Sequence, residues 1–157
     1  MLPNCNGLEA ELFRKLVSGD QSKAQRYIFF AEREGARVPG IPEGTRPRPL
    51  ANAAVIGAGT MGGGIAMCFA NARIPVTIVE TGRDLLQKGV DRVAGNYRAT
   101  VARGGLSADE MERRLGLIHG VTDLDQVGSA DVVIEAVFEE MDLKKRVFAD
   151  LDRLAST

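Results

Sequence analysis

Residues 51–157 spell out an α/β domain built on a doubly wound parallel sheet, and residues 1–50 a helical segment ahead of it. Three features carry this reading. Short β-branched runs alternate with longer amphipathic stretches, the pattern of βαβ units. The first run stops at a glycine-rich turn that opens a helix. The second stops at an acidic residue, 23 positions after the first glycine of that turn.

In the leading segment, Leu8, Leu12 and Leu16 recur every four residues and predict a first helix. Ser18 and Asp20 supply cap chemistry for a second. There Ala24, Tyr27, Ile28 and Ala31 form one apolar stripe, which Phe29 and Phe30 widen beyond the needs of a lone solvated helix. The pair therefore packs either on the domain that follows or on one outside this chain, as a structural arm. Residues 35–50 carry Pro39, Pro42, Pro47 and Pro49 with Gly35, Gly40 and Gly44, so they read as an extended connector.

Ala53–Ile56 is a short apolar run that predicts a buried strand. Residues 61–73 follow as a helix with Gly62, Ile65, Ala66, Phe69 and Ala70 on one face. Pro75 breaks the chain, and Val76–Val79 forms a second strand ending at Glu80. A long helix is expected from about Asp84 to Arg103, punctuated by Gly104-Gly105. Ser107-Ala-Asp-Glu110 carries a capping-box signature for a short helix. Leu117–Val121 predicts a third strand and Asp131–Phe138 a fourth. Glu139 and Glu140 then open a last helix whose Leu143, Val147, Leu151 and Leu154 share a face.

Composition narrows the function classes. The 157 residues hold 20 basic and 21 acidic side chains, a net charge of −1, which removes the usual electrostatic case for nucleic acid or an anionic membrane surface. Apolar residues make up 45% of the chain, enough for a real core. No run approaches the length of a membrane span, and the first residues lack the features of a signal peptide. Cys5 and Cys68 are too few for a disulfide scaffold and fit a reducing compartment. The expected setting is cytoplasmic, or peroxisomal in a eukaryote.

Gly57-Ala58-Gly59-Thr60-Met61-Gly62 matches G-x-G-x-x-G in the setting that its chemistry requires, after a strand and at a helix start. Gly57 permits the tight turn, Gly59 allows backbone to approach a pyrophosphate, and Gly62 lets the helix pack on the sheet. The pyrophosphate meets unpaired N–H groups and the positive end of the helix dipole. Glu80 accepts hydrogen bonds from the adenosine ribose and repels a 2′-phosphate, which favours NAD over NADP. Arg83, three residues on, stands where it offsets part of that repulsion.

Other residues are weighed in the same way. Gly63 and Gly64 each cost a helix about 1 kcal/mol relative to alanine, which points to backbone near something bulky. Glu135, amid valines and isoleucine, needs a partner or a place at the strand's wet end. Glu139 and Glu140 suit the first turn of a helix, and equally the ligand crevice at a parallel strand's C-terminal edge. His119, the chain's one histidine, lies away from that edge and reads as a packed or surface residue, not a catalytic base. Neither cysteine has companions at metal-ligand spacing, nor a base to make it a nucleophile.

Ala54–Ala66, with Val132-Val-Ile-Glu-Ala-Val-Phe-Glu-Glu-Met-Asp-Leu-Lys-Lys145, resembles the NAD-binding domain of L-3-hydroxyacyl-CoA dehydrogenases. Phe13–Arg33 resembles the linker helix of bifunctional enoyl-CoA hydratase/3-hydroxyacyl-CoA dehydrogenases of fatty-acid β-oxidation. The likeness implies a Rossmann-type sheet, incomplete here with four of six strands. It implies that Gly57 through Gly62 hold the pyrophosphate and Glu80 the adenosine ribose. It places Ala136 and Val137 against the cofactor and Glu139 and Lys144 near its nicotinamide-side ribose. The family's catalytic residues and its acyl-CoA-binding domain would follow Thr157.

The expected function is thus the NAD-binding portion of a dehydrogenase that moves hydride from L-3-hydroxyacyl-CoA to NAD, with acyl-CoA bound only by the complete enzyme. The isolated chain is expected to be a fragment without turnover, its fourth strand leaving an apolar edge open to self-association. The alternatives are the dinucleotide domain of another hydroxyacid dehydrogenase and a nucleotide-binding module without catalysis.

Overall fold

A computed structural model describes residues 5–35, 37–42 and 44–154. The sequence start, Met1–Asn4, lies outside the described residues. The chain forms two compact units, Met1–Pro47 and Arg48–Thr157.

The first unit is a helical hairpin, α1 (Cys5–Ser18) and α2 (Asp20–Gly35). Ser18 does not cap α2. Its hydroxyl donates back to the Arg14 carbonyl at 2.7 Å, because it still belongs to the last turn of α1. Asp20 pairs instead with Lys23 at 3.1 Å. Arg26 ties the helices together by donating to the Val17 carbonyl at 2.8 Å. Tyr27, Ile28, Phe29 and Phe30 are all exposed.

The second unit is a four-stranded parallel sheet in the order β3-β2-β1-β4, with β1 (Ala53–Ile56), β2 (Val76–Val79), β3 (Ile118–Val121) and β4 (Val132–Glu135). β1 and β2 are apolar because both faces are covered, and Ala54, Val55 and Ile78 are fully enclosed. Ile65, Phe69 and Leu86 pack toward one cluster of the core and Val127, Val147 and Leu151 toward a second. The helices are α3 (Thr60–Asn71), α4 (Arg83–Ala102), α5 (Ala108–Leu115) and α6 (Met141–Leu154). A 3₁₀ turn, Leu124–Val127, was not expected from the sequence and buries Val127.

In this unit three expectations are corrected. Strand β4 ends at Glu135, short of Phe138. The Ala136 N–H makes the last bond to β1, at the Ile56 carbonyl, while the Val137 N–H turns to the Glu135 side chain. Helix α6 starts at Met141, so Glu139 and Glu140 precede its first turn, in which Asp142 is the acidic residue. The Glu140 carbonyl accepts from the Lys144 N–H at 3.0 Å, which puts Glu140 at the cap. The capping box at α5 forms only by half. Ser107 accepts from the Glu110 N–H at 3.2 Å, but the Glu110 carboxylate is drawn away to Arg113, Arg114 and Arg73.

Candidate functional site

Parallel pairing puts the proposed ligand-binding residues on one edge. The register aligns Ile56 with Val79 on one side and with Glu135 on the other. Gly57, Glu80 and Ala136, each one residue further on, therefore meet at the C-terminal end of the sheet. The order β3-β2-β1-β4 places the reversal of strand order at β1, where such sheets open a crevice.

The glycine turn has three different physical demands. Gly57 sits at φ +107°, and a Cβ there would lie 2.7 Å from the Ala136 carbonyl oxygen. At Gly62 a Cβ would fall 1.9 Å from the Gly57 carbonyl oxygen, so this glycine closes the helix onto the turn. Gly59 is the opposite case, exposed with open space around the same position. Gly59 also precedes α3 without a side chain capping the first turn. Thr60 and Met61 are exposed beside it, whereas Ala58 is buried. This is a helix N-terminus with free donors, a positive dipole end and room in front.

The acidic wall is attached to that turn. The Ala58 N–H donates to Glu80 Oε2 at 3.1 Å, leaving the other carboxylate oxygen for a second partner. Glu80 is half-buried, and Arg83 is exposed at the start of α4. The residues present fit a dinucleotide: the open cradle suits a pyrophosphate and the tethered carboxylate a ribose.

On the other side of β1, Glu135 finds its partner. Its Oε1 accepts the Val137 N–H at 2.7 Å and its Oε2 takes Lys144 Nζ at 3.1 Å. Lys144 also reaches Glu139 at 2.8 Å. The two carboxylates, Glu139 foremost, raise the Lys144 pKa and keep its charge. Ala136 and Val137 are half-buried at the edge of the crevice, and Glu139 is exposed.

His119 lies exposed on β3, paired in register with Thr77, and β2 separates that strand from β1. At Gly63 a Cβ would meet Val93 of α4 in a tight 3.2 Å contact, while Gly64 faces open space. Sequence reasoning passed over Gly89. A Cβ there would sit 2.5 Å from the Ala58 oxygen, so Gly89 lets α4 back up the glycine turn. Its signal was available, since an isolated glycine inside a helix pattern asks for a packing reason. Asp131 was also missed as an anchor. It accepts the Ala51 and Asn52 N–H groups at 2.7 and 3.0 Å, fixing the entry of β1 to that of β4. Those two bonds hold its pKa below the usual carboxylate range.

The chain is similar to known proteins of one family. Residues 52–157 match the family described as 3-hydroxyacyl-CoA dehydrogenase, NAD binding domain. A peroxisomal fatty acid beta-oxidation multifunctional protein of Arabidopsis thaliana is 38% identical over 149 residues, covering 94% of this chain and 21% of that protein. A peroxisomal bifunctional enzyme of Danio rerio is 39% identical over 160 residues, covering 98% and 21%. The crystal structure of 3-hydroxybutyryl-CoA dehydrogenase from Escherichia coli superposes with a TM-score of 0.67 at 35% identity, over 69% of this chain and 23% of that one. The chain spans about a fifth of the length of the curated relatives it matches. By its sequence match and its parallel sheet, the chain belongs to the 3-hydroxyacyl-CoA dehydrogenase family, of which it carries the NAD-binding domain.

Proposed function

We propose that this chain binds NAD across the C-terminal edge of β1 and serves a dehydrogenase that oxidises a 3-hydroxyacyl-CoA to the 3-ketoacyl-CoA. The observation that carries the reading is the uncapped start of α3 with open space at Gly59, tied to Glu80 through Ala58. Gly57, Ala58, Gly59, Thr60, Met61 and Gly62 hold the pyrophosphate, and Glu80 holds the adenosine ribose. Ala136 and Val137 wall the crevice, and Glu139 and Lys144 face the nicotinamide-side ribose. Bound NAD supplies the hydride acceptor; this chain's part is to bind and orient it. No histidine stands at the crevice, since His119 is on the far side of β2, so the 157 residues alone are expected to bind cofactor without turnover. Acyl-CoA belongs to the complete enzyme. A peroxisomal setting follows for a eukaryotic source, as the names of the plant and fish relatives state theirs. Among the described residues no helix is long and apolar enough to cross a membrane. The side of β4 with which no strand pairs among the described residues is proposed as a surface for self-association.

Calorimetric titration tests the cofactor claim. NADH is expected to bind more tightly than NADPH, and Glu80→Ala to narrow the gap by about tenfold, ~1.4 kcal/mol. Equal binding of both cofactors by the unaltered chain would sink the assignment of Glu80. Acetoacetyl-CoA with NADH should give no turnover; turnover abolished by His119→Ala would overturn the reading of that histidine.

A further inference from the structure

Glu135 ends β4 with its side chain only 10% exposed. A carboxylate so enclosed is expensive unless each oxygen is matched, and here each is matched once. Its Oε1 accepts the Val137 N–H, which closes a tight turn around Ala136. Its Oε2 holds the Lys144 ammonium, which is 23% exposed. The turn bond fixes the Ala136 carbonyl, whose oxygen lies 2.7 Å from where Gly57 would carry a Cβ. The ion pair fixes Lys144 from behind, while Glu139, 90% exposed, meets it from the solvent side. Two acids and one base thus form a chain from the C-terminal end of β4 to the surface. A lysine tethered only by an exposed glutamate would be free to swing, since exposed ion pairs constrain little.

We propose that Glu135 is a positioning residue for the nicotinamide-side half of the cofactor site, setting the Ala136–Val137 turn and holding Lys144 toward the ribose. This rests on the reading that NAD spans the crevice from Glu80 to Lys144. Glu135 itself touches no cofactor; it acts through Val137 and Lys144. The carboxylate is required because a glutamine keeps the acceptor for Val137 but offers the ammonium a donor or a weaker, neutral acceptor.

The test compares NADH with ADP, which lacks the nicotinamide riboside, by calorimetry on the unaltered chain, Glu135→Gln and Lys144→Met. Glu135→Gln is expected to weaken NADH roughly tenfold, within the range for members of one ion-pair network, and to change ADP by less than twofold. Lys144→Met should reproduce that loss, and the double variant should add little to it. NADH binding by Glu135→Gln should also decline at lower alkaline pH than that of the unaltered chain, because Glu139 alone then supports the charge on Lys144. Equal loss for ADP and NADH, or no loss for either, overturns the proposal. If Glu135→Gln does not fold, Glu135→Asp, which keeps the charge but shortens its reach to Lys144, takes its place, with the same results supporting or overturning the proposal. Failure of the unaltered chain to bind ADP and NADH overturns the site reading itself, and this proposal with it.

Discussion

Gly57, Gly59 and Gly62 are the same residue type in one short turn, yet each answers a different demand. Gly57 meets a backbone conformation with φ at +107°, and Gly62 a contact that leaves no volume for a methyl group. Only Gly59 has free space, so an added methyl there meets a ligand and nothing of the protein. Gly59→Ala is therefore expected to keep the thermal midpoint within about 2 °C, as surface changes usually do, and to lose most NADH affinity. Gly62→Ala should lose the fold and the binding together. Circular-dichroism melting beside NADH titration separates them, and a Gly59→Ala chain that binds normally would remove the pyrophosphate from this turn. Lys144 and Glu135 show the complementary lesson: the oxygen count of a buried carboxylate says how many partners to look for, but not which residues they are.

At the scale of elements, the helix ends depart most from expectation. Ser107 caps α5 as its spacing predicts, yet Glu110 leaves the box because three arginines compete for it. Arg114 bonds Glu110 at 3.1 Å and also donates to Asn71 at the end of α3, whose side chain accepts from the buried Tyr97 of α4. Glu110 thus joins the junction of α3, α4 and α5. The hydrogen bond from Arg114, opposed in part by desolvation and aided by Arg73 and Arg113, holds its pKa below the ordinary value. A carboxylate depressed in the folded state contributes stability above its unfolded pKa and loses it as pH falls through the folded one. The thermal midpoint should therefore fall on acidification below about pH 4, and Glu110→Gln should flatten that limb. The gap between the two chains is then widest near neutral pH. A gap that stays constant from pH 7 to pH 3 would remove Glu110 from this role.

For the whole molecule, the asymmetry of the sheet matters. One side of β4 pairs with β1; among the described residues, no strand pairs with the other. Beside that edge runs a hollow of about 300 Å³ whose lining includes Ala130, Val133, Phe148 and Leu151. Phe148 is 56% exposed. Exposed apolar edges of this kind pair with other chains. Sedimentation velocity is expected to show a weight-average mass that rises with concentration, and Phe148→Lys to lower it. A monomer mass across the whole range would refute self-association.

The amino-acid sequence by itself determined whatever depends on local geometry and period: the strand–turn–helix at Gly57, the second strand ending at Glu80, and the apolar face of α6. These are legible because backbone conformation and hydrophobic repetition act between near neighbours. Only the tertiary structure decided what depends on partners far along the chain. Gly89 is a glycine because Ala58 lies against it. Strand β4 stops early because the chain turns after the Ala136 N–H bonds Ile56, and the Val137 N–H closes that turn on the Glu135 side chain. Glu110 is a junction, not a cap, because Arg73 arrives from the turn after α3. A carboxylate or a glycine fixes the kind of contact it needs, whereas the fold selects the residue that makes it.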